Sequence, residues 1–382
     1  MAESGLRTHL CDLLGIRYPI LQAGMAGATS PELVAAVAEA GGLGILGGAH
    51  MAPEDLRSWI REVRDHTDRP FGVNLLLHGD IWPPLDAAQL PEAAVRGAQE
   101  ALNVFRGRLG LPPCWDRPES RPDHVDGSIQ VVLEEGVRVF STGMGIPPPV
   151  VVRRLRERRT IVMTMVATAA DARAAAAAGV DVIVAKGAEA GGHVSTGDKR
   201  PTGEHAHVGL LALLPEVLQA VDLPVVAAGG IATGAAVAAS LALGAQGALV
   251  GTRFVATREA PVPDFTKRAM LAADGDATVI TDAFTGLYAR VLRNTFQRDY
   301  AASRAPTLSG YLQASLARDV VAAAARAEDT QYFPIFAGQG VGSIRDLPGA
   351  ADIVERLVRD AEAALQRLCQ GEGRGARDIG GG

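Results

Sequence analysis

Cysteine is scarce in this 382-residue chain, and the three present, Cys11, Cys114 and Cys369, are isolated from one another with no CxxC spacing. This argues against a disulfide framework and against a zinc ribbon, and a reducing cytoplasm is the expected setting. Long apolar runs are missing too: none approaches the roughly 20 residues that a membrane-spanning helix needs. The opening stretch MAESGLRTHLCDLLGIRYPI lacks both a charged segment feeding a long apolar core and a small-residue cleavage site, so it does not read as a signal peptide. Nor is there a basic excess. The 37 lysines and arginines stand against 43 aspartates and glutamates, a net charge of -6 spread along the chain rather than gathered in blocks. Neither nucleic acid nor an anionic membrane surface is an expected partner.

What is present is apolar and periodic. At 48% hydrophobic and 21% charged residues, the chain can bury one large core or two smaller ones. Eight short apolar or β-branched runs stand out: Pro19 to Gln22, Leu43 to Leu46, Phe71 to Leu75, Val137 to Ser141, Thr160 to Val166, Asp181 to Ala185, Pro224 to Ala228 and Gly247 to Val250. Each suits a strand buried on both faces. Amphipathic, alanine-rich helices such as Ser30 to Ala40, Thr168 to Ala178 and Thr233 to Leu243 lie between them, with Ser, Thr or Pro at their starts and Gly at their ends. From Thr160 onward strand and helix alternate almost regularly. Eight parallel βα units favour an α/β fold closed into a (β/α)8 TIM barrel over an open doubly wound sheet.

The barrel is expected over residues 13–255. Two segments break its rhythm. His78 to Asp126, rich in Pro and Arg, follows the third run; Ala256 to Phe333 follows the eighth and reads as several helices with polar joints, a helical lid or small second domain. Both leave from the C-terminal ends of their strands, the active-site side, where long insertions serve as lids or partner surfaces. A homodimer surface is one expected use of the second. Residues 334–370 are expected to pack back on the barrel, and the Gly-rich, charged tail 371–382 to be disordered.

Three glycine clusters fall at expected strand ends: Gly191-Gly192, Gly229-Gly230 and Gly251-Thr252. Glycine lets backbone N–H groups approach a phosphate, and the loops after the seventh and eighth strands are the usual phosphate site of such barrels. Thr252 can add a hydroxyl donor. The plainer reading, that these glycines only permit tight turns, accounts for any one pair but poorly for the set. Asn74, ending the run Phe71-Gly72-Val73-Asn74, can both donate and accept, which suits a flavin or nucleobase edge, or it simply closes the strand. Gln22-Ala23-Gly24-Met25 leaves room for a planar ring, with Met25 packing on it, or is a plain rim turn. His193 follows Ala190-Gly191-Gly192 directly. An imidazole there can take a proton from an acidic carbon or face a developing anion.

The runs PILQAGMAG, FGVN, AKGAEAGGH, VVAAGGIA and ALVGTRF, in this order, resemble the nitronate monooxygenase family, formerly the 2-nitropropane dioxygenases. The resemblance runs from about Leu13 to Leu357 and misses only the two insertions and the tail. It implies a TIM barrel with non-covalent FMN at its C-terminal face, and a flavoprotein that oxidises alkyl nitronates with oxygen. Carried over, Ala23, Gly24 and Met25 would run beside the isoalloxazine, Asn74 would touch the flavin, and His193 would face a small-molecule substrate. Gly191, Gly192, Gly229 and Gly230 would surround the ribityl phosphate with Leu249, Val250, Gly251 and Thr252. Gln339, in Ala337-Gly338-Gln339-Gly340, resembles a late motif near the cofactor.

This sequence departs from the family in three places: Lys186 stands where Gln is common, Gly24 where Pro is common, and Thr196 to His207 is longer and more polar than usual. A cation at Lys186 would stabilise charge on a reduced flavin, or pair with Glu189. Alternative chemistries are a flavin-dependent enoyl-acyl-carrier-protein reductase or an NAD(P)H:quinone reductase, with NAD(P)H as electron donor. Outside redox chemistry, His193, His205 and His207 could hold a hydrolytic metal, or the barrel could be a phosphate-binding isomerase or lyase.

Overall fold

The computed structural model describes residues 6–195 and 207–370. The tail 371–382 and the stretch 196–206 lie outside them. All eight expected runs become strands: β1 (Ile20–Gln22), β2 (Gly44–Gly47), β3 (Phe71–Leu76), β4 (Val139–Met144), β5 (Ile161–Val166), β6 (Val182–Lys186) and, beyond the two-residue β7 (Gly192–His193), β8 (Val225–Ala228) and β9 (Gly247–Val250). Apart from β7 they pair in parallel in the order β1-β9-β8-β6-β5-β4-β3-β2. A bridge from Leu21 to Leu43 joins the two ends, with the Gln22 N–H donating to the Leu43 carbonyl at 2.8 Å and the Leu43 N–H to the Ile20 carbonyl at 2.9 Å. The sheet is a closed barrel.

Successive strand residues face opposite sides, and both sides are filled. Leu21, Ile45, Val139, Met163, Val184 and Leu249 meet in the interior, which Leu10 and Leu14 of the helix His9–Leu14 plug from the N-terminal end. Ile20, Leu46, Phe140, Ile183, Val225 and Val250 pack outward against the ring of helices. The 20-residue helix Ala350–Cys369 packs back onto the helices Gly234–Ala242 and Pro31–Glu39. No described helix is long and apolar enough to cross a membrane.

The stretch after β9 departs from the sequence expectation, because it is not wholly helical. Between its helices lie β10 (Thr278–Thr281) and β11 (Ala289–Leu292), antiparallel to one another, and β7 pairs with β11 to make a second, three-stranded sheet. Four-residue strands carry too little alternation to stand out, and these depend on a partner far away in sequence. The first insertion supplies the helix Glu92–Arg108. Its Val95, Leu102 and Phe105 share a core with Phe284, Phe296, Tyr300 and Leu312 of the second insertion. Arg106, 1% exposed, ties them further: Nε donates to Asp319 at 2.7 Å, Nη1 to Gln99 at 2.6 Å and Nη2 to the Leu316 carbonyl at 2.8 Å. The two insertions form one body beside the C-terminal mouth of the barrel.

Candidate active site

The barrel mouth and the insertion body enclose a cavity of about 480 Å³, within the range of small-molecule and cofactor sites. Ala23, Gly24, Met25, Asn74, Lys186, Gly191, Gly192, His193, Gly229, Gly230, Leu249, Gly251 and Thr252 all line it. Residues dispersed over most of the sequence converge there because most stand at or just beyond the C-terminal end of a parallel strand, and all such ends share one rim; Gly192 and His193 reach it on β7. Two expected residues do not line the cavity. Val250 follows Leu249 in the strand and so faces the outer helices. Gln339 is exposed, and it is its backbone N–H that works, donating to the Glu189 carbonyl at 2.9 Å; its neighbours Gly338 and Gly340 line the cavity instead.

The rim is built on close backbone approach. A Cβ on Gly191 would lie 2.6 Å from the Gly338 nitrogen, so two loops cross where only glycine fits. Thr252 Oγ1 accepts the Gly338 N–H at 2.9 Å and keeps its own hydroxyl proton to donate. Gly229 and Gly230, at φ 119° and 68°, hold a turn that other L-residues rarely adopt. Gly24 has a steric cause as well, since a Cβ there would stand 2.5 Å from that of Asn74. Asn74 is 3% exposed, and its Oδ1 has no hydrogen-bond partner, nor does Thr266 Oγ1, also on the cavity wall. On a cavity wall, such atoms are open to a hydrogen bond from a bound group.

Lys186, at the end of β6, donates through Nζ to the His193 carbonyl. Glu189 does not pair with it; both carboxylate oxygens accept the Leu210 N–H, at 2.9 and 3.0 Å. Burial therefore acts on the ammonium without a counter-charge and pulls its pKa down to about 8. His193 sits on β7, paired with Ala289 of β11, rather than on a free loop. Its Nε2 lies 3.0 Å from Thr285 Oγ1. The Thr285 hydroxyl is already donated to the Leu287 carbonyl at 3.1 Å, so this contact has Nε2–H as donor and leaves Nδ1 with the lone pair. Burial first, then the charges of Lys186, His50 and Arg121, lower the imidazole pKa to about 3. It is neutral at physiological pH.

Residues 7–360 match the family model for nitronate monooxygenase. The chain belongs to that family. It is 36% identical to a nitronate monooxygenase of Paraburkholderia phytofirmans over 373 residues, 97% of this chain and 99% of that one. Among solved structures it resembles a nitroalkane oxidase from Streptomyces ansochromogenes (TM-score 0.84, 37% identity, 94% of this chain and 99% of that one). It also resembles FabK from Thermotoga maritima (TM-score 0.73, 33% identity, 96% and 99%).

Three titratable cavity residues lie outside the runs that carry the family resemblance: His50 after β2, Arg121 in the first insertion and Tyr311 in the second. The Tyr311 ring lies 4.4 Å from that of His50 and 5.3 Å from that of His193, and the Arg121 guanidinium stands 4.3 Å over it. His50 and Tyr311 both have left-handed backbones, at φ 72° and 66°. Non-glycine residues held that way collect at functional sites, but no feature of the sequence announces the conformation. Of the hydrolytic-metal alternative, His205 lies outside the described residues. The grouping of metal-ligating side chains among the described residues is Glu32, Glu62 and His66, which do not line the cavity.

Proposed function

We propose that this enzyme uses FMN, held at the barrel mouth, to oxidise alkyl nitronates with molecular oxygen to a carbonyl compound and nitrite. Family membership gives the reaction class. The observation that carries the site assignment is the convergence of the glycine rim, the unpartnered Asn74 Oδ1 and the neutral His193 on one cavity.

The residues fit a flavin nucleotide. Backbone N–H groups of Gly229, Gly230 and Gly251, with the Thr252 hydroxyl, would hold its phosphate. Ala23, Gly24 and Met25 would flank its ring, Asn74 Oδ1 would accept one of its N–H groups, and Lys186 would balance negative charge on it. The flavin, when bound, supplies the electron transfer, while the protein supplies orientation and electrostatics. With a neutral nitroalkane, His193 would take the α-proton at Nδ1, the nitrogen that Thr285 leaves open. The insertion body, bringing Thr285 and Tyr311 to the cavity, would exclude water from above.

Anaerobic mixing of the yellow holoenzyme with ethyl nitronate, NADH and NADPH, followed by oxygen, tests the reading. Nitronate-dependent oxygen uptake with nitrite release is expected. Rapid flavin bleaching by NADH or NADPH, with none by the nitronate, would replace it with the reductase alternative. His193→Ala should retain flavin and lose about 10²-fold or more in turnover of the nitroalkane; unchanged kinetics would remove His193 from its role.

A further inference from the structure

Two arginines of this chain show what a structural guanidinium looks like here. Arg106 meets Asp319 at 2.7 Å and Arg253 meets Asp346 at 2.9 Å. Arg121 lines the cavity and is half-buried, yet no carboxylate pairs with it among the described residues. The groups that bear on its charge are the Tyr311 ring and the like charge of Arg318, and desolvation holds its pKa below the ordinary arginine value. Around it stand His50, His193 and Tyr311, none carrying a negative charge at neutral pH, and of these His50 and Tyr311 have a proton to donate. This end of the cavity is short of one anion.

Arg121 is also held in place. The segment carrying it has no regular secondary structure, but Ser120 Oγ accepts the Ala87 N–H at 2.8 Å and the Glu119 N–H donates to Ser315 Oγ at 2.9 Å. Both anchors lie within two residues of Arg121, and the second reaches across to the other insertion. A preorganised, uncompensated guanidinium is the side chain that best matches a planar anion with two oxygens, which it can bind through two parallel N–H donors. A nitronate is such an anion, whereas its parent nitroalkane is neutral.

We propose that Arg121, flanked by His50 and Tyr311, grips the two oxygens of the ionised substrate, so that the enzyme takes the nitronate in preference to the nitroalkane. This rests on the nitronate reading above and assigns its selectivity to a residue outside the barrel. Lys186 and Arg121, whose charges make protonation of His193 costly, also favour an anionic substrate beside it.

The test uses holoenzyme and its Arg121→Met and Arg121→Lys variants, with two readouts. Oxygen uptake gives kcat/KM for ethyl nitronate and nitroethane. Titration with nitrite or acetate, inert planar anions, is followed by calorimetry. Arg121→Met should lose roughly tenfold to hundredfold in kcat/KM for the nitronate, mainly through KM, with a smaller loss for nitroethane, and should lose anion binding. Arg121→Lys should recover part of both. Unchanged anion affinity in Arg121→Met, or an equal loss on both substrates, would overturn the proposal. If wild-type enzyme turns over neither compound, the functional reading fails while the anion titration still decides whether Arg121 is the anion site.

Discussion

A single hydroxyl sets which face of the His193 ring can do chemistry. Because Thr285 gives its proton to the Leu287 carbonyl, it can only accept from Nε2, and the lone pair is left on Nδ1. Thr285→Val should therefore release the ring and lower turnover of a nitroalkane by roughly tenfold, with flavin content unchanged, and Thr285→Ser should restore it. An equal effect of Val and Ser would make the contact merely structural. The pH profile adds a second reading. The folded pKa, near 3, is depressed below the ordinary histidine value, so the imidazole is deprotonated across the range of about pH 5–8 where histidines usually titrate. No acid limb from His193 is expected there in the wild type. One appearing in Thr285→Val would show that the ring has moved to a more solvated position.

At the scale of elements, the helix Ala350–Cys369 depends on one glycine. A Cβ on Gly234 would lie 2.5 Å from the Ala361 nitrogen and 2.6 Å from the Leu357 carbonyl oxygen, and these are backbone atoms that cannot rotate away. Gly234→Ala should cost about 1–3 kcal/mol by forcing the two helices apart. Gly107 is the contrast: it sits exposed in the helix Glu92–Arg108 with nothing within 4 Å of an added Cβ. Gly107→Ala should gain about 0.5–1 kcal/mol through helix propensity and a less entropic unfolded chain. Urea unfolding of both variants checks the pair; the same sign for both would contradict the packing account.

Taken whole, the molecule is a barrel whose mouth is completed by a body made from two insertions far apart in sequence. Arg106 is its main polar link. Arg106→Ala would strand the Gln99 amide oxygen and the Leu316 carbonyl inside that body and remove the partner of Asp319, a change expected to cost about 2–4 kcal/mol, mostly through the two stranded acceptors. Since the body carries Arg121, Thr285 and Tyr311, activity should fail at a lower temperature than in wild type. Flavin release and thermal unfolding, recorded in parallel with activity, separate loss of the body from loss of the barrel: activity lost at unchanged flavin occupancy is expected.

The barrel was legible from residue order alone. Strands buried on both faces must be continuously apolar, and glycines at their ends mark where backbones crowd, so eight runs and their Gly-rich termini pointed to one rim and brought His193, Asn74 and the glycine loops to it. Val250 and Gln339 lie beside that rim without lining the cavity, the Val250 side chain packing outward and Gln339 standing exposed. The tertiary structure decided the rest. Lys186 meets the His193 carbonyl rather than Glu189 because of how the loop after β6 folds, while which nitrogen of His193 carries its proton and how Arg121 and Tyr311 come to stand beside His50 depend on contacts between segments dozens to hundreds of residues apart. Such contacts leave no local periodicity, because what selects them is the shape and charge left over at the mouth of a barrel that has already closed.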